Sequence, residues 1–271
     1  MARPRNLADL INQNTVSRIS ALFDLGLGAI SGLTIARASI TTFTVSPGTA
    51  RNEDAGQAQR LQLTTTFTKS LSAWAVGSGN GSLDVATVLS DAWYHVHLIR
   101  RDSDAAMDIL ISLSATSPTM PSGWTARRRI GSFRTNGLSQ IVSFVQNGDV
   151  FTWDAPTADV GAANPGTAAV TRTLNVPPLV VVYPIVAWSL QNATTTVVQL
   201  LVSPLSIADN APSATLYTLT TTGTLNSTPT CVVSDIPTNT NAQVRTRLSA
   251  SGASDTLRGI TLGWIDPRGS R

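Results

Sequence analysis

The chain has 271 residues and a net charge of +3; 42% of residues are hydrophobic and only 13% are charged, about half the usual charged share. Polarity comes instead from 64 Thr and Ser residues, while Lys69 is the single lysine and Glu53 the single glutamate. Scarce helix-favouring Lys and Glu beside abundant β-branched Thr exclude a helical bundle or coiled-coil rod, and the apolar content excludes a disordered chain.

At the N-terminus, Asn6 is placed to cap a helix, with Asp9 in its first turn. Leu7, Leu10, Ile11, Val16, Ile19, Leu22 and Phe23 recur at roughly helical spacing until Gly26, Gly28 and Gly32 break the pattern. Residues 1–34 therefore read as a segment for anchoring or oligomerisation, or as a helix lying on the adjacent sheet. The opening MARPRNLADLINQ has no apolar stretch of signal-peptide type.

Strand patterns follow. Ile40–Val45 precedes a Ser-Pro-Gly turn, Leu61–Lys69 alternates, and Gly77–Ser82 reads as a flexible loop. Trp93–Arg100 and Met107–Leu113, separated by RDSDAA, predict a hairpin. Asn147-Gly148 between alternating runs predicts a type I′ hairpin, because both central residues of that turn need positive φ.

Residues 154–168 carry Pro156 and Pro165 and few large apolar side chains, so they read as an interdomain linker or long surface loop. Strand patterns resume at Ala169–Val176, Leu179–Leu190, Thr194–Val202, Ala214–Thr222, Ala242–Ala250 and Thr256–Ile265. The longest apolar run, Pro178–Leu190, is broken by Pro184 and falls short of a membrane span. The expected fold is all-β: a short N-terminal helical attachment segment, then two antiparallel sandwich or jelly-roll-like lobes, 35–155 and 156–271.

Few groups suggest chemistry. His95 and His97 share one face of a strand and can share a metal only if a third ligand, Asp91 or Asp108, joins them; the alternative is a metal-free pair. Asp102, Asp104 and Asp108 lie in a loop lacking the glycine and terminal Glu of an EF-hand, and turn chemistry accounts for the first two. Arg127 and Arg129 face one way and Arg128 the other, with Arg134 nearby. These arginines suit an anionic partner or a neighbouring subunit, or else guard a solvated strand edge.

Trp93, Trp124 and Trp153 are sugar-stacking candidates or core residues, and Cys231 reads as a small buried hydrophobe. The sequence shows no nucleophile elbow or dinucleotide fingerprint, and no basic stripe for nucleic acid. No enzyme activity, cofactor or metal is expected.

Two stretches say more. WYHVHLIRRDSDAAMDILISLSATSPTMPSGWTARRRIGSFRTNG…IVSFVQNGDVFTW, from Trp93 to Trp153, resembles a module of tail-fibre-like structural proteins of tailed bacteriophages and prophages. QVRTRLSASGASDTLRGITLGWIDPRG, residues 243–269, resembles the closing strands of the same proteins.

The resemblance spans about 230 residues and implies an all-β, homotrimeric virion protein made in the host cytoplasm. It implies fastening to other virion proteins through the N-terminal segment, and it carries no active site. A short tail-fibre-like appendage contacting a host surface glycan is the leading expectation, with Ile207–Pro212 and Gly223–Thr230 as receptor loops. A capsid decoration or head-fibre protein is the alternative, and a polysaccharide depolymerase acting through Asp102, Asp104 and Asp108 is a third reading.

Overall fold

A computed structural model of the chain describes residues 30–53 and 59–268. The proposed anchoring residues Leu7, Leu10, Ile11, Val16, Ile19, Leu22 and Phe23 lie outside the described residues. The rest is all-β. The first lobe contains β1 (Ile30–Gly32), β2 (Ile35–Arg37), β3 (Thr42–Val45), β4 (Gly48–Arg51), β5 (Arg60–Leu63), β6 (Phe67–Ala73), β7 (Gly81–Leu83), β8 (Trp93–Arg101), β9 (Met107–Ser112) and β10 (Trp124–Arg134).

These strands form a seven-stranded sheet of order β10-β8-β9-β7-β6-β3-β2 and a three-stranded sheet of order β1-β4-β5. Ala50, Leu61 and Leu63 of the small sheet enter the same apolar core as Val96, Leu98, Ile109 and Ile111 of the large one. Because β1 pairs with β4 and Leu33 is fully buried, residues 30–34 belong to this lobe rather than to an attachment segment.

Pairing is antiparallel except at β7, which runs parallel to both β6 and β9. The expected single strand Leu61–Lys69 is two strands in different sheets, divided at Thr64–Thr66.

The second lobe contains β11 (Phe144–Asn147), β12 (Val150–Ala163), β13 (Val170–Thr173), β14 (Tyr183–Gln191), β15 (Gln199–Ser203), β16 (Leu219–Thr220), β17 (Thr230–Val233), β18 (Gln243–Leu248) and β19 (Thr256–Ile265). A five-stranded sheet, β11-β12-β19-β14-β17, and a four-stranded sheet, β13-β18-β15-β16, contribute their alternate residues to one core. Val186, Trp188 and Leu190 of the first sheet share it with Leu200, Val202, Val244 and Leu248 of the second. This is sandwich packing, in which each inner face buries every other residue.

Two expectations are corrected. Most of the supposed linker 154–168 is strand, since β12 runs unbroken to Ala163 and pairs with β19 along its length. Its register shifts between Thr152 and Thr157, and Pro156 lies in that bulge, where no ladder donor is required of it. Residues 151–163 therefore bind the second lobe together, and the 155/156 boundary falls inside a strand.

The hairpin at Asn147 is present, but its central residues are Gly148 and Asp149, because Asn147 pairs with Val150. Only Gly148 has positive φ, at 59°, which is the type II′ pattern rather than type I′.

Candidate functional site

The resembling stretches, residues 93–153 and the described part of 243–269, meet at a seam between the lobes. Trp264 of β19 stacks on Phe151 with ring centroids 4.9 Å apart, lies 5.1 Å from Trp153, and meets Trp93 edge-on at 5.4 Å. Trp93 opens β8 in the first lobe, so these rings join two sheets that the chain order keeps apart. A Cβ at Gly263 would collide with the Phe151 carbonyl oxygen, so the close approach of β19 to β12 requires glycine there.

An ionic network continues the seam. Between Arg129 and Gly131 the β10–β8 register shifts by one residue. Arg129 pairs with His97 and Ser132 with His95, so the bulge places residues three apart on one face. Arg129 then spans to the other lobe, its Nη1 and Nη2 each donating to Asp266 at 2.7 Å. Both residues are buried. Burial works to lower the Arg129 pKa but Asp266 outweighs it, and Arg129 likewise outweighs burial in holding the Asp266 carboxyl below its ordinary value.

Asp266 also accepts the Arg268 backbone N–H, and the Arg268 side chain reaches Asp149 in the β11–β12 turn at 2.7 Å. Arg128, on the opposite face from Arg129, donates to the Arg268 carbonyl at 2.6 Å. A cleft of about 470 Å³ opens beside this network, lined by Glu53, Thr116, Arg128, Arg129, Tyr183 and Arg268 among others.

The arginine run is thus largely internal. β10 is the sheet edge that the sequence suggested. It is not a solvated one: the Glu53 N–H bonds the Arg127 carbonyl and the Glu53 carboxylate accepts the Arg129 N–H. Arg127 donates to the Thr116 carbonyl, while Arg134 reaches Asn175 at 2.9 Å and Asp91 at 3.4 Å.

His95 and His97 do lie on one strand face, and both are fully buried. His95 Nδ1 is 2.9 Å from Ser132 Oγ, and His97 Nε2 donates to the Ser114 carbonyl at 3.1 Å. Burial, with the nearby Arg129 charge adding to it for His95, drives the pKa of each to about 3. Among the described residues no group of three or more His, Cys, Asp or Glu is placed to hold a metal. The suggested third ligands are engaged elsewhere, Asp91 with Arg134 and Asp108 with Lys69.

The Lys69–Asp108 pair has no counterpart in the sequence reading. Its atoms are 2.8 Å apart and fully buried. Lys69 Nζ also donates to the Ala75 and Gly77 carbonyls, and Asp108 accepts the Gly77 and Ile109 N–H groups. Burial lowers the lysine pKa, and Asp108 partly offsets this. The only early signal was that a chain using Arg for its other cations keeps one Lys.

The three loop carboxylates take three different partners. Asp102 accepts Thr125 Oγ1, Asp104 pairs with Arg101, and Asp108 pairs with Lys69. Trp124 and Trp153 are core residues, Trp93 packs against the core, and Cys231 is half-buried on β17 opposite Trp188.

Neither a family model nor a curated protein matches the chain. Among solved structures, a Bacillus thuringiensis Cry1Da tryptic core variant aligns at 11% identity and a TM-score of 0.19, covering 88% of this chain and 51% of that one. The chain thus spans about half the length of that structure.

Proposed function

We propose that this chain is a non-enzymatic structural protein of a bacteriophage virion, a small homotrimeric tail-fibre-like appendage whose β lobes form the exposed body. Residues 1–29 would fasten it to other virion proteins, and residues 30–34, which belong to the first lobe, would join the two. One observation carries the reading: the polar and aromatic residues of the two resembling stretches bind each other across the seam. Arg129 with Asp266, Arg268 with Asp149, and Trp93 with Trp264 are construction contacts, as expected of a pattern of structural rather than catalytic residues.

The receptor-loop assignment gains a physical basis. Arg245 donates to the Ile207 carbonyl, and Arg247 pairs with Asp209 at 2.6 Å, so the loop at 207–212 is pinned to the outer face of the four-stranded sheet. A loop held in place loses less entropy on meeting a glycan.

The reading predicts that antibody labelling in electron micrographs places the protein on the tail, and that light scattering gives the mass of three chains. Labelling over the head would move it to a decoration role, and a monomer mass would remove the trimer.

A further inference from the structure

We propose that Asn147-Gly148 is a site of spontaneous succinimide formation, at which deamidation loosens the seam between the lobes. The sequence has three Asn-Gly steps, at 80–81, 136–137 and 147–148. In such a step the Gly backbone nitrogen, after losing its proton, attacks the Asn Cγ. The bond from Cγ to the side-chain nitrogen breaks, ammonia leaves, and a five-membered imide closes. Water then opens the ring at either carbonyl, giving Asp or isoaspartate without any redox partner. The reaction needs a side chain free to swing, an accessible backbone nitrogen and access for water.

Two of the steps lack these conditions. Asn80 donates through Nδ2 to the Val76 carbonyl at 2.7 Å, and a Cβ at Gly81 would collide with backbone, so that glycine is tightly enclosed. Asn136 Oδ1 accepts the Leu138 and Gln140 N–H groups, both at 3.0 Å, while its own backbone bonds Gln140 and Asp91.

The third step differs. Asn147 and Gly148 are both exposed at the hairpin tip, and no atom beyond its two chain neighbours lies within 4 Å of where a Gly148 Cβ would sit. Gly148 is the first central residue of a II′ turn, a position whose N–H is not used in closing the hairpin.

The neighbours of this step hold the lobes together. Gln146 Oε1 accepts the Ile35 N–H from the first lobe at 2.7 Å, and its Nε2 donates to the Gly148 carbonyl. Asp149 grips Arg268, and its carbonyl accepts the Asp266 N–H. Isoaspartate at 147 routes the chain through an extra methylene between Gln146 and Asp149 and adds a carboxylate next to Asp149. Both changes act on the ties from this turn to β2 and to Asp266–Arg268.

The test incubates the full chain at mildly alkaline pH, with peptide mapping by mass spectrometry and melting followed over time. Conversion is expected at Asn147 well before Asn80 or Asn136, with Tm falling by a few degrees as isoaspartate accumulates. An Asn147→Gln chain, whose longer side chain closes an imide far more slowly, should keep its Tm through the same incubation. Conversion at Asn80 or Asn136 ahead of Asn147 would overturn the assignment. Conversion at Asn147 with an unchanged Tm would overturn the link to the seam.

Discussion

His95 and His97 are the chain's only histidines, and both are placed where a proton is unwelcome. Their neighbours across β10 are Ser132 and Arg129, and Asp266 stands behind Arg129; the charges from Arg129 and Arg127 oppose protonation. In the unfolded chain each ring titrates near the ordinary value of 6.5, against about 3 when folded. Between those values the unfolded state binds protons that the native state refuses, so stability is full above that ordinary value and falls as pH drops. The slope reaches about 1.4 kcal/mol per pH unit for each histidine. Urea unfolding in steps from neutral pH down to about pH 4 should show this decline, and a His95→Gln/His97→Gln chain should show a flatter one even if it is less stable throughout. An equal slope in the double variant would remove the histidines as its cause.

Elements were legible where alternation and a turn signal coincided, as in the β8–β9 hairpin, whose alternation put Tyr94, Val96 and Leu98 opposite His95, His97 and Ile99. Both faces of β8 are nevertheless buried: the face that carries the histidines meets the Ser114 carbonyl and continues into a second apolar cluster of Ile99, Leu110 and Trp124. Each imidazole there makes one internal hydrogen bond and keeps its other ring nitrogen buried without one, and composition alone cannot say whether a polar face meets solvent or protein. β12 was missed because its middle, Asp154–Ala158, is exposed throughout and contains a proline, so no apolar face marks it. The β10 bulge left no mark either, since one extra residue changes which side chains meet without changing their types.

That bulge also fixes a prediction at the element scale. A Cβ at Gly131 would sit 2.7 Å from Ile35 Cδ1 and 2.9 Å from Phe151 Cζ. The first is the flexible end of a side chain, but the second is an aromatic ring wedged against Trp264. Gly131→Ala should therefore cost about 1–3 kcal/mol by overpacking, and Phe151→Leu in the same chain should recover part of that loss. Denaturant unfolding of the two single variants and the double variant measures the coupling, and strict additivity would mean that Phe151 is not what resists the new methyl.

At the scale of the whole molecule, two lobes would ordinarily be expected to unfold separately unless their interface is large and apolar. Here one cluster of buried residues runs from Leu61 and Val96 in the first lobe through Phe151 and Trp264 into Val244 and Leu248 in the second. The Arg129–Asp266 pair sits beside it with its charges withdrawn from water. Loss of Asp266 leaves a guanidinium buried without its carboxylate, a change that costs about 3–5 kcal/mol in comparable sites. The intact chain should therefore melt in one transition, with calorimetric and van't Hoff enthalpies equal. Asp266→Ala should lower the midpoint of that single transition, the seam tryptophans Trp93, Trp153 and Trp264 reporting it by fluorescence. The melt stays single because the apolar cluster still crosses the seam after the ionic tie is lost. Two transitions in the unmodified chain would mean that the lobes merely touch, and the seam would then lose its claim to be the chain's organising feature.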